Sequence, residues 1–286
     1  MLPACGDDAS WERAECTPAR PAEPGTRPLE LDGRRALVHV PEGYDGTEAQ
    51  PVVLSFHGYG SSAEDHADYA DLRPVADDKS FVVVLPQGTG APSRFDQEVG
   101  ITSEADDVGF SLALLDRVAA DLCVDPARVY ATGQSNGAGM SAVLACRAPD
   151  RIAAIALSSL LLLPERCEAR PPVLGFMGTH DLVIPYPGGE VACCGGWSIP
   201  PADETMQAWA EHDGCDAEPD VDDEGDGIER RVWTGCVDGG EVRYYVIDGG
   251  GHTWPGADEE GLGPTTQSLD ASEEVWRFFR RFSLAD

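Results

Sequence analysis

Short runs of consecutive apolar residues recur along this chain, with longer stretches of helix-like spacing between them. Continuous apolar runs, as opposed to strict alternation, mark strands buried on both faces, the pattern of a parallel sheet covered by helices. Residues 51–56, 81–85, 128–132, 152–157, 172–177 and 242–247 are runs of this kind. Ahead of them, residues 29–31 and 35–40 flank the turn dipeptide Asp32-Gly33 and predict a β-hairpin. Ser61 or Ser62 caps an expected helix that reaches about residue 78. Asp106-Asp107 opens another, with Val108, Leu112, Leu115, Val118 and Leu122 near helical spacing. A helix-compatible stretch covers 138–146, and an amphipathic helix with Val275, Phe278, Phe279 and Phe282 inward closes the chain over 272–282. Residues 1–27, rich in Pro, Ala, Glu and Arg without a period, read as a surface arm. Residues 28–286 read as one α/β domain, a mostly parallel central sheet with helices on both faces. Residues 187–201 and 213–227 are candidate insertions.

The run at 128–132 drives directly into Gly133-Gln134-Ser135-Asn136-Gly137, and helix follows at once. A serine on a tight strand-to-helix turn is the arrangement of a nucleophile elbow. Glycine is needed on both sides because the turn strains the serine backbone and brings neighbouring chain too close for a Cβ. In sheets of this class, sites gather at the carboxyl ends of the strands. His57-Gly58-Tyr59, Ser135, Gly178-Thr179-His180-Asp181 and Gly249-Gly250-Gly251-His252 each lie just past an expected strand end. An activated serine needs a base in hydrogen-bond reach and a carboxylate to orient that base. Ser135, Asp181 and His252 supply these in the chain order expected of an α/β-hydrolase, with Asp248 and Glu190 as rival acids. The backbone N–H groups of Asn136 and Tyr59 are the expected oxyanion donors.

Composition alters this picture in two ways. The formal charge of −31 disfavours nucleic acid and anionic lipid as partners and reads as a solvated acidic surface. Nine cysteines, none in a zinc-site spacing, point to an oxidising compartment with disulfides. Cys215 with Cys236, then Cys146 with Cys167, are the expected pairs, and the adjacent Cys193 and Cys194 are expected to serve separate disulfides. Two readings of Cys5 stay open: the lipid-carrying residue of a processed lipoprotein, or the partner of Cys16. No stretch approaches the roughly 20 apolar residues of a membrane helix. The stretch that begins at Asp220 opens like a calcium loop, but its twelfth position is Arg231 where a glutamate is needed, so a solvated loop without metal is expected.

Gly133-Gln134-Ser135-Asn136-Gly137, Asp107-Val108-Gly109-Phe110, Pro86-Gln87-Gly88, Ile184-Pro185-Tyr186 and Gly250-Gly251-His252-Thr253-Trp254-Pro255-Gly256 together resemble the polyhydroxybutyrate depolymerase and feruloyl esterase family of secreted α/β-hydrolases. The resemblance spans residues 35–282 and implies a disulfide-bonded serine esterase with Ser135, Asp181 and His252 at the triad positions, no cofactor, and a short-chain, aromatic or polyester substrate. The chain departs from the family at Ala138 in the elbow helix and at Tyr59, where a cysteine is common. Trp197 and Trp254 are candidate stacking residues for an aromatic or sugar ring. A serine peptidase on the same fold and a hydrolase-like binding protein with a dead site are the competing readings.

Overall fold

A computed structural model describes residues 15–258 and 261–284. The chain opens with the expected hairpin, β1 (Gly25–Leu31) and β2 (Arg34–Val40), turned by Asp32 and Gly33 at φ of 52° and 78°. Both turn residues are left-handed, which is what a two-residue hairpin with the sheet's own twist requires. β3 (Gln50–Phe56) follows, buried along its whole length. The single helix expected after it is two, α1 (Ala63–Tyr69) and α2 (Arg73–Lys79). Pro74 explains the break, since it lacks an N–H and fits only the first turn of a new helix. Ser62 caps α1 through its side chain on the Asp65 N–H.

β4 (Val82–Pro86), α3 (Asp107–Asp121), β5 (Val124–Gln134), α4 (Asn136–Arg147), β6 (Ala154–Ser158) and β7 (Val173–Gly178) continue the alternation. After a short ribbon of β8 (Gly189–Glu190) and β9 (Ser198–Ile199) come α5 (Ala202–His212), β10 (Asp220–Gly225), β11 (Ile228–Trp233), β12 (Val242–Ile247) and α6 (Ala271–Phe279). Ten strands form one sheet in the order β1-β2-β4-β3-β5-β6-β7-β12-β11-β10. The central six, β4 to β12, are parallel, and an antiparallel pair is added at each edge. One apolar cluster packs β3, β5 and β7 against α3, α4 and α5, and a second packs the other face against α1, α2 and α6. α6 binds the second face through stacked pairs, Phe81 on Trp276 and Tyr130 on Phe279. Among the described residues, no helix is long and apolar enough to cross a membrane.

Several expectations need correction. Residues 220–225 are not a solvated loop but a strand, β10, with every residue exposed; its partner β11 carries Arg230, paired to Asp222 and Glu224. Five polar or glycine positions and one valine give no strand signal, so pairing with β11 decides the conformation. Cys193 and Cys194 are bonded to each other and not to separate partners. Cys16 pairs with Cys123, which removes the Cys5–Cys16 loop; Cys5 and the lipoprotein-like stretch lie outside the described residues. The pairs Cys146–Cys167 and Cys215–Cys236 are as expected. The Cys16–Cys123 bond, with Cys16 N–H on Thr47 O and Arg20 N–H on Gly46 O, pins residues 16–20 to the body of the sheet.

Asp213, at the end of α5, is 3% exposed and its Oδ1 has no hydrogen-bond partner. Burial pushes its carboxyl up to about 8, against the opposing pull of Arg170. The native state therefore keeps a proton that the unfolded chain releases near pH 4, so this group lowers stability as pH rises from about 4 to about 8, by at most about 1.4 kcal/mol per unit. Asp213→Asn is expected to match the parent at pH 4 and to be the more stable protein at pH 9, measured by urea unfolding. A parent that remains the more stable at pH 9 contradicts this account.

Candidate active site

Ser135 stands between β5 and α4 with φ 55° and ψ −121°, a conformation seldom adopted by a residue with a Cβ. Its N–H is held by Ser158 O at 2.8 Å on the neighbouring strand. Packing forces this turn: a Cβ on Gly137 would overlap Phe56 O, and one on Gly133 would meet the Gly137 backbone. Only glycine lets β5 and α4 close so tightly over the end of β3. The serine is thereby lifted beyond the sheet, at the N-terminus of α4, where the first N–H groups have no intrahelical acceptor.

The loop after β3 lies beside it. A Cβ on Gly58 would stand 3.7 Å from Ser135 Cβ, so Gly58, the residue before Tyr59, borders the serine. His57, fully buried, shapes that loop: Nδ1 bonds Gly58 O at 2.7 Å and Nε2 accepts the Gly88 N–H at 3.0 Å. These partners require the neutral Nδ1–H tautomer, and desolvation lowers the affinity of this ring for a second proton.

The Asn136 side chain makes contacts of its own. Its Oδ1 accepts the Phe95 N–H at 2.8 Å, and its Nδ2 donates to Phe95 O and Gln97 Oε1, each at 3.0 Å. Residues 95–101 are held against the serine in this way. Asp107 supports the same segment by accepting the Asp96 N–H at 2.8 Å, while Arg34 bonds its other oxygen at 2.6 Å. Phe95 and Gln97 carry no motif of their own, and Asp107 stands in a motif that does not tell its partner, so only the fold reveals these supports.

His252 and Asp181 come from adjacent strands. Gly178, at the end of β7, has room for no Cβ because Gly250 O occupies the space, and His180 N–H bonds Gly250 O at 2.8 Å. This contact brings the loops after β7 and β12 together. His252 Nδ1 meets Asp181 Oδ2 at 2.7 Å, with both residues buried. Asp181 Oδ1 accepts two more bonds, from the Val183 and Ile184 N–H groups at 2.8 Å each, which fix the carboxylate plane. Gln134, next to the serine, donates to His252 O at 3.3 Å. The rival acids are elsewhere: Asp248 accepts from Thr179 Oγ1, and Glu190 is exposed.

The two tryptophans differ. Trp254 is 1% exposed, its indole N–H bonded to Ser272 Oγ, so it is a core residue of the second face and offers no ring to a substrate. Trp197 is half-buried in the β8–β9 turn, packed over Gly100. A cavity of about 720 Å³ lies apart from this site, between α5 and the β10–β11 hairpin; Arg231, in its lining, is already paired with Asp203 and Glu229.

Comparison with known proteins places the chain among esterases. Residues 36–172 match the family model described as esterase PHB depolymerase. The chain is 32% identical over 261 residues to feruloyl esterase B of Piromyces equi, covering 88% of this chain and 46% of the relative, and so spans about half the length of that protein. It is 30% identical to the putative esterase NocK of Nocardia uniformis, covering 81% of this chain and 71% of the relative. In structure it is similar to an acetyl xylan esterase from Aspergillus awamori, with a TM-score of 0.61 at 14% identity over 80% of this chain and 94% of the other, a likeness of fold. With this sequence identity and this α/β-hydrolase sheet, the chain belongs to the polyhydroxybutyrate depolymerase and feruloyl esterase family of carboxylic ester hydrolases.

Proposed function

We propose that the protein is a serine esterase acting on neutral esters with short-chain or aromatic acyl groups through an acyl-enzyme. The observation that carries this reading is the 2.7 Å bond between His252 Nδ1 and Asp181 Oδ2, from loops tied to the strand-to-helix turn that bears Ser135. With Nδ1–H donated to Asp181, Nε2 keeps its lone pair to accept a proton. Ser135 Oγ attacks the ester carbonyl as His252 Nε2 takes its proton. The oxyanion is held by the N–H groups of Asn136 and Tyr59, and removing one such donor typically costs about 10²- to 10³-fold in turnover. Collapse expels the alcohol, protonated by His252, and leaves the acyl group on Ser135. Water, activated by the same histidine, then releases the acid. No cofactor enters any step.

The rim of the site favours neutral, partly apolar substrates. Leu182, next to Asp181, is 83% exposed, and Leu262, whose carbonyl accepts the His252 N–H, is 63% exposed. The net charge of −31 repels esters with a free carboxylate near the scissile bond. Feruloyl and hydroxyalkanoate esters both meet these conditions. Four disulfides suit an extracellular or cell-envelope location. The test is kcat/KM on acetate, butyrate, laurate and ferulate esters at low and high salt. Acetate, butyrate and ferulate should be turned over well and laurate weakly, and KM for anionic esters should fall as salt screens the repulsion. A preference for laurate, or anionic esters indifferent to salt, counts against this pocket.

A further inference from the structure

We propose that the Cys193–Cys194 disulfide is a positioning device for the acyl pocket: it closes the β8–β9 turn and so holds the Trp197 ring where it selects aromatic acyl groups. The proposal rests on the serine esterase reading and extends it to specificity.

The turn is anchored at two places. On one side Ala192 N–H bonds Val183 O at 3.0 Å, and Val183 N–H in turn bonds Asp181 Oδ1 at 2.8 Å. On the other, the Trp197 ring covers Gly100, where a Cβ would overlap it. Gly100 belongs to the segment that Asn136 grips through Phe95 and Gln97, and Gln97 N–H bonds Ile101 O at 3.1 Å. The turn that carries Trp197 therefore joins the segment gripped by Asn136, the neighbour of Ser135, to the loop that carries Asp181. Trp209, Trp233, Trp254 and Trp276 are buried, so among the described tryptophans Trp197 alone presents part of its ring to solvent.

The ring packs at the border of the first core cluster, and little within the turn itself adds to that contact. Its Nε1–H is screened from solvent without an acceptor, which works against the seated position. Cys194, Gly195 and Gly196 have φ of 67°, 108° and 69°, three left-handed residues in succession, and the first carries a Cβ. Such a turn has many alternatives open to it. Val191 N–H to Trp197 O, at 2.8 Å, closes its base, and the covalent ring through Cys193 and Cys194 restricts its tip.

The experiment compares the parent with Cys193→Ser/Cys194→Ser and with Gly100→Ala, which displaces Trp197 while leaving the disulfide intact. The ratio of kcat/KM on a ferulate ester to that on an acetate ester is expected to fall by about three- to tenfold in both variants, the scale of one aromatic contact, with the change in KM for ferulate. Acrylamide quenching supplies a readout independent of catalysis: the Trp197 contribution, taken as the difference from the matching Trp197→Phe protein, should rise in both variants. An unchanged ratio, a loss equal on both esters, or unchanged quenching overturns the proposal. If the parent hydrolyses neither ester, the esterase reading falls and quenching alone decides whether the disulfide positions Trp197.

Discussion

Ser135→Ala is expected to lower turnover of an activated acetate ester by on the order of 10⁴- to 10⁶-fold, the range in which removal of a triad nucleophile falls. Its fold should persist, because the side chain is half-buried and caps nothing in α4. His252→Ala should cost nearly as much, and the double variant little more than either, since nucleophile and base act on one proton. This non-additivity separates a triad from two residues that merely line a pocket. Single-turnover kinetics with a chromogenic ester measures it, and retention of more than a tenth of the activity in either single variant removes Ser135 or His252 from the mechanism.

Asp181→Asn is expected to cost about 10⁴-fold in kcat while leaving the loop in place. The two effects separate because the carboxylate oxygens do different things. Oδ1 accepts the Val183 and Ile184 N–H groups, and an asparagine oxygen can take over that position. At Oδ2 an amide nitrogen would then face His252 Nδ1 and donate where the carboxylate accepted. The imidazole must turn to its Nε2–H tautomer, which cannot take the Ser135 proton. A thermal midpoint close to the parent with kcat greatly reduced is the expected pair of results; kcat within tenfold of the parent would show that Asp181 does not set the tautomer.

The parts of this molecule legible in the sequence are those where one local demand dominates. Asp32-Gly33 could be read as a hairpin because few residues adopt two successive positive φ values, and Gly133 and Gly137 as an elbow because nothing larger fits against Phe56 O. Asp181 is legible among many acidic residues by its place just after β7, and the fold brings it to His252. What could not be read depends on partners distant in sequence. β10 is a strand because β11 lies beside it. Trp254 follows His252 closely, yet its side chain points to Ser272 in the second core cluster. The Asn136 side chain is spent on Phe95 and Gln97, some forty residues earlier. Which cysteines come within reach of Cys193 and Cys194 is a matter of the fold alone; among the described residues the other six are already paired.

An open sheet ends in two rows of backbone groups that a second sheet could adopt. Here one outermost strand, β1, carries Pro28, which cannot donate to a further ladder, and the other, β10, presents Asp220, Asp222, Asp223 and Glu224 to solvent. A neighbouring copy approaching β10 meets its own charges repeated at strand spacing, a contact that becomes more repulsive as more of the edge is aligned. Growth of the sheet from molecule to molecule is thus opposed at the place where it would begin.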